Sequence, residues 1–151
     1  MPLDALAATL TADLERIFGL FRSLSPASGL SMTAAATLAG IERLGPQRLT
    51  VLAAREGVTQ PAMTQLISRL EESGLVRREA SQDDGRVVLV AITEQGRATL
   101  ARRRSARAER LSGIIAQLSP DHHAALVAAL PALDALASIP RDDDPPRTTA
   151  R

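Results

Sequence analysis

The feature that most restricts this chain is a change of hydrophobic period at Gly74. Before it, Met63, Leu66, Ile67 and Leu70 recur at steps of three and four, the spacing of a helix face turned toward a core. After it, Leu75-Val76-Arg77-Arg78-Glu79 reads as a short strand and Arg86-Val87-Val88-Leu89-Val90-Ala91-Ile92 as a strongly β-branched one. Ser81-Gln82-Asp83-Asp84-Gly85 lies between them and is turn-rich, so the two strands are expected to form an antiparallel hairpin with a polar tip.

Helices surround this hairpin. A short one is expected from Thr50 to Glu56 with Thr50 as its N-cap, and Gly57 follows as the residue best able to take a positive φ at a helix end. Thr59 caps the next helix, and Pro61 falls in its first turn, where a missing N–H costs nothing. Upstream, a helix runs from Ser31 or Thr33 to Leu44 and stops at Gly45-Pro46. Downstream, Thr93 caps a long helix to about Leu118, with Gly96 a soft spot in its first turn. Ser119-Pro120-Asp121 starts a last helix to about Ile139, which Pro131 should kink. At the other end, Leu3, Ala7, Leu10, Leu14, Ile17, Phe21 and Leu24 keep a heptad step until Ser25-Pro26 breaks the helix. The segment from Pro140 to Arg151, rich in Pro, Asp and Arg, is expected to be disordered.

Composition narrows the chemistry. Among 151 residues there is no cysteine, so disulfides, thiol nucleophiles, thiolate metal sites and thiol redox sensing are excluded together. Two histidines do not make a zinc site, and His122-His123 reads as the exposed start of a helix, so no metal and no cofactor is expected. No Ser/His/Asp set, paired carboxylates or Gly-rich phosphate loop supports an enzyme. No run reaches the ~18 apolar residues of a membrane span, and the N-terminus carries acids where an export signal would be basic, so a cytoplasmic protein without membrane contact is expected. All 18 cationic side chains are arginine beside 27 alanines, a bias that GC-rich coding explains without special arginine chemistry. Phe18 and Phe21 are the only aromatics, and a core of Ala, Leu, Val and Ile is thin for one subunit. The heptad at the N-terminus and this thin core both ask for burial against a second copy.

Charge marks a face. Between Arg43 and Arg110 there are 13 arginines and 8 acids, whereas the rest of the chain holds 5 arginines and 9 acids. A basic middle between acidic ends suits a nucleic-acid surface, although a solvated charged face has the same composition. Two helices joined by a tight Gly57-Val58 turn and followed by a hairpin make a winged helix-turn-helix, in which the second helix enters the major groove while the first braces it. On that second helix Thr59, Gln60, Ala62, Thr64, Gln65, Ser68 and Arg69 are expected to be exposed. Gln can pair bidentately with adenine, Thr and Ser can serve either base of a pair, and Ala can meet a thymine methyl. The alternative is a merely solvated helix face. At the hairpin tip, Arg86 can enter a minor groove; alternatively it forms a surface ion pair with Asp84, or Asp84 orients it for that task.

The segment from Leu38 to Leu100 resembles the MarR family of bacterial transcriptional regulators. The residues that carry the resemblance are LAAREGVTQPAMTQLISRLEESGLVRRE, the wing sequence DDGRVVLVAITEQG, and the order of the flanking helices. The resemblance implies a mainly α fold with a small β hairpin, a winged helix-turn-helix domain over residues 31–93, and dimerisation helices at 1–30 and 94–139. It implies a homodimer bound to double-stranded DNA at a pseudo-palindromic operator, usually as a repressor. It carries Thr59, Gln60, Ala62, Thr64, Gln65, Ser68 and Arg69 over as base or phosphate contacts and Arg86 as the wing contact, with Arg48, Arg77 and Arg78 as further phosphate contacts. It also implies a small apolar or phenolic effector in a cleft drawing on Phe18, Phe21, Arg22, Thr37 and Ile41, although plain core is the first reading of those same residues. A winged-helix module that meets another protein instead of DNA is the competing class.

Overall fold

The computed structural model describes residues 1–24 and 29–139. The expected break at Ser25-Pro26 and the tail 140–151 lie outside these residues. Six helices and three short strands follow in the order α1 (Leu3–Ser23), α2 (Met32–Leu44), β1 (Gln47–Arg48), α3 (Leu49–Arg55), α4 (Gln60–Glu72), β2 (Val76–Ala80), β3 (Val88–Ile92), α5 (Glu94–Ile115) and α6 (Pro120–Ser138). Four of the helices start where a hydroxyl can accept from an otherwise unpaired N–H. Ser31 accepts from Ala34, Thr59 from Ala62, Thr93 from Gly96 and Ser119 from His122. The α6 helix continues through Pro131 to Ser138.

Three local expectations are corrected. The hairpin is the larger part of a three-stranded antiparallel sheet in the order β1-β3-β2, because Gln47 and Arg48 pair with Val90 and Leu89. Two residues are too few to show a period, so only the free edge of β3 reveals that strand. Thr50 is not an N-cap either. Chain leaving β1 passes straight into α3, which puts Arg48 at the cap position without a side-chain bond and Thr50 inside the helix. Gly96 is a requirement rather than a soft spot. A Cβ there would overlap the Leu75 carbonyl oxygen and come within 2.7 Å of Ile92 Cγ1, so only glycine lets α5 begin against the β2–β3 sheet.

The core lies in the winged half and takes in the start of α5. Ala34, Leu38 and Ile41 of α2 meet Leu52 and Ala53 of α3, Met63, Ile67 and Leu70 of α4, Leu75 and Val76, Val90 and Ile92 of β3, and Leu100 of α5. Leu66, expected inside, is only partly buried and packs on the rim of this cluster. Thr37 and Ile41, candidates for an effector cleft, are fully buried, and the Thr37 hydroxyl donates to the Thr33 carbonyl one turn back.

One polar side chain in this interior was not anticipated. Arg103 of α5 is 4% exposed and donates from Nη1 to the Leu30 carbonyl at 3.1 Å. One turn on, Arg107 lies 3.8 Å over the Phe21 ring, and Arg110 donates to the Leu24 carbonyl at 3.4 Å. Burial lowers the Arg107 pKa from the usual guanidinium value, and the positive charge of Arg103 adds to the effect. Arg104 ties α5 to α2 through Glu42 at 2.7 Å. By contrast, neither α1 nor α6 has a single buried residue.

Candidate nucleic-acid interface

The helix-turn-helix is fixed by backbone chemistry before any side chain reaches out. At the end of α3, Gly57 takes φ +62°, its N–H bonds the Ala54 carbonyl, and the Val58 N–H bonds Ala53, both at 3.1 Å. This is the paired closure that left-handed glycine permits, and it satisfies carbonyls the helix leaves open. The end of α4 repeats it. Gly74 at φ +71° bonds Glu71 at 2.9 Å, and the Leu75 N–H bonds Leu70 at 2.8 Å. Glu56 occupies the cap of α3, where burial pushes its carboxyl pKa up and the neighbouring Arg55 charge opposes the shift.

The C-terminal end of α4 is then held from α5. Thr93 donates its hydroxyl to the Gly74 carbonyl at 2.6 Å and its N–H to the Leu75 carbonyl at 3.1 Å, while Gln95 donates to the Ser73 carbonyl at 3.2 Å. One face of α4 is open to solvent along its length. Thr59, Gln60, Ala62, Thr64, Gln65 and Arg69 are exposed as expected, and Ser68 is half-buried. Met63, Ile67 and Leu70, on the other side of the helix, anchor it in the core.

The wing tip is braced by its own backbone. Ser81 N–H bonds the Val87 carbonyl at 2.8 Å, and Val87 N–H bonds the Asp84 carbonyl at 2.9 Å. Asp84 Oδ1 accepts from the backbone N–H of Arg86 at 3.0 Å, and no ion pair joins the two side chains. Asp84 therefore holds the backbone at Arg86, and the expected surface ion pair between the two side chains is not formed. Arg86 precedes β3 rather than opening it, is exposed, and among the described residues its guanidinium makes no ion pair or hydrogen bond. Arg48 and Arg69 are likewise exposed. Arg77 and Arg78 are different: Arg77 pairs with Glu79 at 2.9 Å, and Arg78 pairs with Glu71 on α4. Glu71 was missed from the sequence. Its only signal is an acid in the last turn of one element facing a base on the next, across a tight turn.

This geometry invites comparison with known proteins. A family model described as MarR family matches residues 30–88, the stretch that holds α2 to the wing. An HTH-type transcriptional regulator of Mycobacterium bovis, Mb0904, is 33% identical over 114 residues, covering 76% of this chain and 80% of that protein. The chain belongs to the MarR family of transcriptional regulators.

Solved structures match the fold along nearly the whole chain. The crystal structure of RV1404 from Mycobacterium tuberculosis is 25% identical with a TM-score of 0.75, covering 90% of this chain and 97% of that one. A putative transcriptional regulator from Pseudomonas aeruginosa is 27% identical with a TM-score of 0.73, covering 91% and 96%. The coverage extends well beyond the winged half, so the helices that bury nothing here are part of the fold these proteins share. Among the described residues of this MarR-family chain, no helix is long and apolar enough to cross a membrane.

Proposed function

We propose that this regulator is a homodimer that reads a pseudo-palindromic operator in double-stranded DNA and represses transcription from it. The observation that carries the DNA reading is the pairing of two exposed features on one rigid unit. They are the uncharged, hydrogen-bonding N-terminal face of α4 and the ungripped Arg86 guanidinium on a wing whose backbone Asp84 holds in place. A helix of this kind fits a major groove, and a cation on a neighbouring tip can reach the adjoining minor groove. In this reading Thr59, Gln60, Ala62, Thr64, Gln65 and Ser68 face the groove, and Arg48, Arg69 and Arg86 contact phosphate or groove. Arg77 and Arg78 already have acid partners and are left out of that set.

The dimer is supported by the apolar side chains left open on the terminal helices. Leu3, Ile17 and Phe18 of α1, with Val127, Leu130 and Leu136 of α6, are among them, Leu130 at 55% exposure. Uncovered apolar area of this kind marks an interaction surface. The division of labour follows: residues 31–93 read DNA, and 1–30 with 94–139 join the copies. Two recognition helices would then lie about 34–36 Å apart, one DNA turn. An apolar or phenolic effector that releases the operator is the finer part of the proposal. Phe18 and Arg22 on α1 are exposed and available for it, Phe21 is exposed with Arg107 over its ring, and Thr37 and Ile41 are core residues. Chromosomal DNA as target places its work in the cytoplasm.

Mobility shift on the DNA flanking the protein's own gene, across a salt series, tests this reading. Specific binding should fall steeply with salt, and Arg86→Ala should weaken it and reduce the slope by about one counterion. Absence of DNA binding at every salt concentration would overturn the proposal and favour a protein-interaction module.

A further inference from the structure

We infer that Arg78 is a positioning residue that bolts the recognition helix to the wing through Glu71 and Ser68, and does not contact phosphate. The inference rests on the DNA reading above. Three bonds converge on this one residue. Its guanidinium Nη1 pairs with Glu71 Oε2, its Nη2 donates to Ser68 Oγ at 3.3 Å, and its backbone N–H donates to Glu71 Oε1 at 3.3 Å. Both acceptors lie in the last turns of α4, and Arg78 sits at the centre of β2, opposite Val90. The link therefore reaches both the side chain and the main chain of the strand.

Position gives the link its consequence. β2 is an edge strand of the sheet, so Glu71 also occupies one of its backbone N–H groups. The same strand leads into the tip that carries Arg86, and the same helix carries Thr59, Gln60, Ala62, Thr64 and Gln65 toward its other end. Two DNA-reading parts that differ in groove must keep a fixed mutual angle, and small misplacements of a reading group are costly. On the α5 side, α4 is held by backbone carbonyls that accept from Thr93 and Gln95. On the wing side, the Arg78 set is the direct polar tie between α4 and β2 among the described residues. The guanidinium is already spent on a carboxylate and a hydroxyl, so recruiting it to phosphate would leave Glu71 beside the DNA unpaired.

The two roles predict opposite signs. If Arg78 touched phosphate, Glu71→Gln would free it, remove a negative charge and tighten binding. As a bolt, Glu71→Gln loosens the reading geometry and weakens specific binding while leaving charge contacts to DNA in place. The experiment uses the full chain and two probes: a duplex selected by wild type from a random pool, and an unselected duplex of equal length. Glu71→Gln and Arg78→Gln should each lower affinity for the selected duplex by about tenfold, and the double variant should be no worse than either, as expected for touching residues. For Glu71→Gln, the salt slope and the affinity for the unselected duplex should stay at wild-type values. Thermal melting of each variant separates this from loss of fold, since the glutamine is isosteric with the glutamate it replaces. Tighter binding by Glu71→Gln, or a slope reduced by about one in Arg78→Gln, would overturn the inference. If wild type selects no duplex, the DNA reading itself fails, and this inference goes with it.

Discussion

The winged half and the terminal helices treat their apolar residues in opposite ways. In the winged half, Leu38, Ile41, Leu52, Met63, Ile67 and Val90 are almost wholly removed from water within one chain. On α1 and α6, leucines, isoleucines and both phenylalanines stay open, and no residue is buried. The contrast teaches that an apolar face announces burial without naming its partner. A compact unit of short helices and a small sheet closes its own core, because each element offers several neighbours. On a long helix touched only by side chains such as Arg107 over Phe21, most of the apolar seam stays open, as a surface that meets a partner does.

The largest effect that would break this comparison is expected at Gly96. Gly96→Ala places a methyl against the Leu75 carbonyl, which is backbone and cannot move aside, so the winged half itself should lose about 3 kcal/mol or more. Thermal melting checks it, and an unchanged Tm would show that the α5 start can shift. Next comes the terminal half. Leu130→Asp puts a charge on the open face of α6, and it should cut self-association by at least about a hundredfold while the winged half stays folded. Sedimentation read beside circular dichroism separates the two, and a variant still dimeric at low concentration would remove α6 from the proposed interface.

The smallest expected effect concerns Glu56. Burial raises its folded pKa above 4.5, so the folded state holds the proton at pH values where the unfolded chain has lost it. Stability from this group is therefore fully present below the unfolded pKa and is lost as pH rises through the folded one. Glu56→Gln should flatten that part of the stability–pH curve and make the winged half slightly more stable at neutral pH. The same substitution should leave self-association alone. A curve unchanged by Glu56→Gln would place the carboxylate in water.

What could be read in advance follows the range of the interactions involved. Gly57, Thr59, Pro61 and Gly74 were legible because caps and closures are made within a few residues of the chain. The exposed face of α4 was legible because Met63, Ile67 and Leu70 fix the opposite side by helical spacing alone. β1 was not legible, since a two-residue strand exists only where Val90 and Leu89 offer an edge. Gly96 looked like a weakness until the Leu75 carbonyl was seen against it. Arg78 looked like another basic residue for DNA, because pairing with Glu71 leaves no mark in the local pattern, whereas Thr37 and Ile41 take the core role that competed with a cleft.

The sequence by itself determined the helices and most of their ends, the hairpin, the absence of thiol chemistry and the polar face that α4 presents. These rest on propensity, capping and period, which act between near neighbours in the chain. Tertiary structure alone decided the third strand, the requirement for glycine at position 96, the buried Arg103, and which arginines stand free for a partner. Those depend on groups distant in sequence meeting at ångström separations, where a single carboxylate or carbonyl changes what a side chain can do.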